Sequence, residues 1–149
     1  MPDEIPFFPQ EKSYSCVPAC LLMVLAANGI HLEEQQLVKA CNCTAEGTSP
    51  GDLVRAAIDL GFTNTVQEHP ELDDLKSALA NRIFPIVWLR TMQHPLDIDP
   101  PSHAVVVVKI GKLVLLRDPS QDQAQRLVPR SEFAEAWERA RRLTVLISK

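Results

Sequence analysis

The spacing of apolar residues changes partway along this chain of 149 residues and divides it into two kinds of structure. In the first half the period is helical. Cys16, Ala19, Cys20, Met23, Val24 and Ala27 recur at intervals of three and four, which puts them on one helix face, and Asn28-Gly29 supplies the stop. A second helix is predicted from about Glu33 to Cys41. Ser49-Pro50, a cap residue followed by proline at the first helical position, opens a third that closes at Leu60 before Gly61. A fourth covers Leu72 to Asn81. Ahead of them all, residues 2–14 carry Pro6, Phe7, Phe8 and Pro9 and read as an extended arm.

The second half reads differently. Phe84 to Leu89, His103 to Ile110, Lys112 to Arg117 and Leu143 to Ile147 are short apolar runs, the second dense in valine, and predict buried strands. One helix interrupts them, from Ser131 to Arg141, with Ser131 as its expected cap. Helices first and strands later imply an α+β fold, a helical part packed on a mostly antiparallel sheet. A single domain across 1–149 is expected. An active site would lie in the crevice between the two parts.

Charge and composition narrow the function classes. A formal charge of −4 argues against an electrostatic grip on nucleic acid or on an anionic membrane. Arg139, Arg141 and Arg142 fit the end of the last helix, where they complement its dipole. No apolar run approaches the roughly 18 residues that span a bilayer, so no membrane insertion is expected. The acidic start Met1-Pro2-Asp3-Glu4 lacks the build of a signal peptide, and the expected location is the cytoplasm. The four cysteines, Cys16, Cys20, Cys41 and Cys43, would then stay reduced. Their C-x3-C and C-x-C spacings differ from the paired C-x2-C of zinc ribbons, which argues against a zinc site. A redox or zinc protein built on these cysteines is a minor reading that metal analysis would decide.

Cys16 carries the sharpest chemistry. It stands at the predicted N-terminus of an apolar helix, where unpaired N–H groups and the dipole favour a thiolate. Taken alone it fits core packing as well as catalysis, and Cys20, one turn further in, fits a small buried hydrophobe. A thiolate nucleophile needs an imidazole to carry its proton, and the imidazole needs an orienter. His31, His69 and His94 fall in loops. His103 stands directly before a strand.

A two-residue loop at Ile110-Gly111 would pair Lys109 with Lys112 and, further down the ladder, His103 with Asp118 on one side of the sheet. Ile110 is a poor residue for such a turn, so a slip of register is open, as is the plainer reading of two unrelated polar residues at strand ends. Gln10 lies on the arm leading into Cys16. Its amide, with the backbone N–H of Cys16, would make an oxyanion hole.

At this point the chain resembles a known family, the double-glycine leader peptidases, which are bacteriocin-processing cysteine peptidases of the papain-like clan. The specific blocks are QEKSYSCVPACLLMVL at 10–25 and HAVVVVKIGKLVLLRDP at 103–119. EGTSPGDLVRAAIDLGF at 46–62, LDDLKSAL from Leu72, FPIVWL from Phe84 and EFAEAW from Glu132 follow the same order. The resemblance implies a papain-like fold, no cofactor, Gln10 as oxyanion donor, Cys16 as nucleophile, His103 as base and Asp118 as orienter. It also implies a peptide substrate cut after a Gly-Gly or similarly small pair, with recognition reaching into an upstream leader helix, and leaves room for a partner transporter. Two departures stand out. Family members usually have Asp before the cysteine and Gly after it, where this chain has Ser15 and Val17. Most are also the N-terminal part of a transporter, whereas this chain stops at Lys149, and a stand-alone peptidase is expected. A non-catalytic peptide-binding module with the same fold is the alternative.

Overall fold

The computed structural model describes residues 5–91 and 102–149. The helices come first: α1 Cys16–Ala27, α2 Glu34–Ala40, α3 Pro50–Asp59 and, after the short strand β1 Val66–Glu68, α4 Leu72–Ala80. Then follow β2 Ile86–Arg90, β3 Ser102–Ile110, β4 Leu113–Arg117, β5 Arg126–Pro129, α5 Arg130–Arg139 and β6 Thr144–Leu146. The strands form one sheet in the order β1-β6-β2-β3-β4-β5, with every ladder antiparallel.

Most predicted elements stand within two residues of their expected bounds. Ser49 caps α3 by accepting the N–H of Asp52, and Gly29 and Gly61 take the left-handed backbone that ends α1 and α3. Two short edge strands, β1 and β5, were not expected. Val66 to Glu68 are all exposed, so no apolar alternation marks that strand. α5 begins one residue earlier than expected, with Pro129 at the cap position, so Ser131 lies inside the first turn.

α1 also departs from the one-faced helix expected of it. Every residue from Val17 to Leu25 is buried, because α1 lies between the sheet, where it packs on β3, and helices α2 and α3. One apolar cluster fills that side, gathering α1 with Leu37, Leu53, Phe62, Ile86, Trp88, Ala104 and Val106. The other face of the sheet is covered by α5 and α4, where Phe133 and Trp137 stack and pack on Val87, Val105, Val107 and Leu116. The two faces follow the alternation of β3.

The β3–β4 hairpin corrects the expected register. Ile110 pairs with Val114 and Lys109 with Leu115, so the loop is three residues rather than two. The pairing then shifts between Val107 and Lys109, and beyond that point Val106 faces Arg117. The expected loop would have set Arg117 opposite Ala104. The net offset is two residues, which preserves the side of the sheet to which each β4 residue points.

The arm ahead of α1 is strapped to the same strand. The buried Arg117 guanidinium donates from Nε (3.2 Å) and Nη2 (3.1 Å) to the Ile5 carbonyl, and from Nη1 (3.0 Å) to that of Ala124. Further along, the Gln10 N–H donates to the Pro119 carbonyl at 2.8 Å. Since α1 is buried all round, Leu21→Ala should cost about 2–5 kcal/mol of stability. A denaturant midpoint close to that of the parent would show that α1 is not the centre of the core.

Candidate active site

Cys16 is the first residue of α1, partly exposed, with its side chain toward the end of β3. Ser15 stands at the cap position but makes no cap hydrogen bond. The next residues are Val17 and Pro18, and proline has no N–H, so the free donors of this first turn are few and close to the sulfur. Burial would push the Cys16 thiol up. A hydrogen bond with His103, the N–H of Ala104, the charge of His103 and the N–H of Val17 outweigh that effect and lower it.

His103 meets Asp118 as expected, although the ladder does not set them opposite each other. Its Nε2 lies 2.5 Å from Asp118 Oδ1, which leaves Nδ1 for the Cys16 thiol. Burial alone would lower the imidazole. The hydrogen bonds and charges of Asp118 and Cys16 overcome it and raise His103 to about 9, so the ring is protonated near neutral pH. Asp118 is 1% exposed, and burial would raise its carboxyl. His103 and the Ser120 hydroxyl and N–H, at 2.7 and 3.0 Å, hold it well below the usual carboxylate range. Its other oxygen accepts a hydrogen bond from Arg126 Nη1.

Ser120 and Arg126 did not emerge from the sequence. A serine two residues after an aspartate is a common turn pairing and could have been noticed. Arg126 could not, because it opens the unexpected edge strand β5.

Gln10 lies on the arm, its backbone N–H tied to the carbonyl of Pro119, the residue after Asp118. Its Nε2 donates one N–H to the Lys12 carbonyl at 2.7 Å, and an amide nitrogen has a second to offer. Its Oε1 is buried and has no hydrogen-bond partner among the described residues. Two openings flank the site. A cavity of about 370 Å3 is lined by Leu89, Thr91, Ser102, His103, Asp118 and Arg126 among others. A wider groove of about 680 Å3 runs between Pro9–Ser13 and Pro119–Asp122.

The other candidates lie elsewhere. His69 Nδ1 pairs with the Arg141 carbonyl at 2.7 Å, and His94 lies outside the described residues. Cys20 is raised well above the ordinary thiol value by burial, and Cys41 is pushed by burial up to about 12. Cys43 Sγ sits 3.6 Å from the carbonyls of Tyr14 and Thr44. All four cysteines are free, and no metal-binding cluster exists among the described residues.

A helical part packed on a mostly antiparallel sheet is the fold of C39 papain-like peptidase domains. The chain belongs to the Peptidase C39 family, whose model matches residues 4–146. Among solved structures it is similar to one described as a C39-like peptidase from Bacillus anthracis, with TM-score 0.82 and 18% identity over 100% of this chain and 96% of that one. It is also similar to the peptidase domain of Streptococcus ComA, a bi-functional ABC transporter involved in quorum sensing. There the TM-score is 0.73 at 20% identity, covering 95% of this chain and 97% of that one. A third is a double-glycine motif protease from an AMS/PCAT transporter in complex with its leader peptide. Its TM-score is 0.68 at 22% identity, covering 96% of this chain and 89% of that one. No match was found among curated protein sequences. At these identities the solved structures speak for the fold, and the family supports a peptidase role.

Two outcomes follow from the site's electrostatics. Iodoacetamide should label Cys16 ahead of the other three cysteines near neutral pH, as mass spectrometry of a limited reaction would reveal. Preferential labelling of Cys43 would detach reactivity from the helix N-terminus. The second outcome concerns acid. Because the folded Asp118 pKa is depressed, its contribution to stability is full above the unfolded value of about 3.9 and fades as pH falls below it. His103 is charged in both folded and unfolded protein throughout that window. The stability difference between the parent and Asp118→Asn, from denaturant titrations, should therefore shrink between about pH 5 and about pH 2. A difference that stays constant with pH would rule out an ionised, stabilising Asp118.

Proposed function

We propose that the protein is a cysteine peptidase in which Cys16 is the nucleophile, His103 the acid–base, Asp118 the orienter of the imidazole and Gln10 an oxyanion donor. The observation that carries this reading is the His103–Asp118 hydrogen bond, with the carboxylate buried and the same imidazole lowering the thiol of Cys16 at the start of α1. The lowered thiol and raised imidazole favour a thiolate–imidazolium pair at neutral pH.

The reaction follows from that pair. The Cys16 sulfur adds to the carbonyl carbon of the scissile bond, and the oxygen takes up the negative charge. The backbone N–H of Cys16 and the second N–H of Gln10 Nε2 are suited to receive it. As the intermediate collapses, the carbon–nitrogen bond breaks and imidazolium gives its proton to the departing amine. A thioester remains. His103, now neutral, draws a proton from water as the water oxygen attacks, and collapse releases the carboxylic acid and restores the thiolate. Asp118 keeps the ring in one orientation throughout and stays ionised.

The substrate in this reading is a leader peptide cut after Gly-Gly or a similarly small pair, a preference that a crevice too narrow for side chains beside Cys16 would explain. The double-glycine protease with its bound leader is the neighbour that supports this. The transporter-linked neighbours likewise suggest a separate transporter that receives the product. We place the reaction in the cytoplasm, where free thiols persist. Among the described residues no helix is long and apolar enough to cross a membrane.

Cleavage of matched peptides, followed by chromatography with Cys16→Ala as blank, tests the reading. A Gly-Gly peptide should be cut and a Leu-Leu peptide left intact. A steric clash gives a near all-or-none contrast, unlike the roughly 10- to 200-fold of a pocket that grades by one methylene. Equal cutting of both would remove the narrow crevice and keep the cysteine mechanism. Failure to cut any peptide would turn the assignment toward a non-catalytic peptide-binding module.

A further inference from the structure

The arm between Gln10 and Cys16 closes on a side chain that plays no part in the chemistry above. Glu34, the first residue of α2, is 3% exposed, and its carboxylate faces the arm. The Glu11 N–H donates to both its oxygens, at 3.2 Å to Oε1 and 3.1 Å to Oε2. The Ser15 hydroxyl, fully buried, lies 3.1 Å from Oε2. Ser15 Oγ in turn accepts the Lys12 N–H at 3.0 Å. The Lys12 carbonyl receives the Ser15 N–H at 3.2 Å and the Gln10 amide at 2.7 Å. Glu34 is thus the acceptor on which two chains of donors end. One starts beside Gln10 and the other beside Cys16.

A buried carboxylate carries a desolvation cost, and burial raises Glu34 above its usual value. The Glu11 N–H and the Ser15 hydroxyl offset that, and the facing charges are Glu11, which opposes ionisation, and Lys12, which favours it. A carboxylate in such surroundings is warranted where a backbone must be held in one conformation, since charge-assisted hydrogen bonds are the strong ones. It also explains why Ser15, a residue suited to capping, leaves α1 uncapped: its hydroxyl faces Glu34 and Lys12 instead.

We infer that Glu34 is a positioning residue for the proposed peptidase reaction, its carboxylate fixing the arm so that the Gln10 amide and Cys16 hold the geometry needed at the oxyanion. The inference rests on the peptidase reading. Displacement of the arm by about an ångström would reduce turnover by about 100-fold. That loss should fall on kcat, with KM little moved, because the arm acts on the transition state.

The test compares Glu34→Ala and Glu34→Gln in the full chain with the Gly-Gly peptide. Glu34→Ala should lose kcat by the factor given. Glu34→Gln should recover most of it, since its carbonyl oxygen still accepts the Glu11 N–H and its amide can donate to Ser15 Oγ. In a Gln10→Ala background, Glu34→Ala should cost less than in the parent, because the share of its effect that acts through the Gln10 amide is already lost. Parent-like kcat in Glu34→Ala, or the full loss repeated in the Gln10→Ala background, would overturn the inference. Should Glu34→Ala fail to fold, Ser15→Ala removes one link alone, and an unchanged kcat there would count as the same refutation. If the parent cuts no peptide, the peptidase reading falls, and the clamp is read separately by amide hydrogen exchange at Glu11. Slow exchange in the parent and fast exchange in Glu34→Ala would support it. Equally slow exchange in both would end it.

Discussion

A carboxylate taken out of water has to be surrounded by donors, and the whole of this site is arranged around that requirement at Asp118. Three groups approach it from different parts of the chain: His103 at the start of β3, Ser120 from the turn that follows, and Arg126 from the edge strand β5. Each meets a need of the carboxylate, and each is held in turn. The imidazole is thereby kept charged, and it is a charged imidazole that favours the thiolate at Cys16. The lowered thiol of Cys16 therefore depends, through the one imidazole between them, on an aspartate buried against a sheet end.

The two halves of the molecule meet along this line. The helical half contributes the sulfur and the N–H groups of an uncapped helix start. The sheet half contributes the imidazole and its anion. Between them runs the arm, pinned to the sheet by Arg117 and Pro119 and to the helices by Glu34. Two buried charged side chains of opposite sign thus hold one extended segment from two sides. A segment with few regular hydrogen bonds of its own needs such outside partners to keep one shape.

How much of this could be seen in the sequence depended on the range of the interaction. Local signals were legible: the helical spacing from Cys16, the Ser49-Pro50 start of α3 and the valine run of β3 all lie where the pattern puts them. The pairing of His103 with Asp118 was legible for a different reason. A hairpin is the shortest tertiary contact, and alternation along a strand carries side information over many residues. Arg126 and Glu34 were not legible. Glu34 sits on an amphipathic helix, where a glutamate ordinarily faces solvent, and nothing in its neighbours indicates that the arm covers it. β1 and β5 are edge strands with exposed or alternating positions too few to register as a period.

The shift in the β3–β4 ladder has a consequence for how the family's hairpin can vary. The three-residue loop and the shift near Val108 are each an odd step, and an odd step moves every later residue to the opposite face. Either alone would turn Asp118 toward the α1 side, with Arg117 exchanged into its place. Together they cancel in parity. A gain or loss of one residue at Gly111-Lys112 is therefore a change of chemistry, and a gain or loss of two is only a change of length. The hairpin counts in pairs, and insertions that survive in relatives should come as even numbers or be matched by the gain or loss of a bulge.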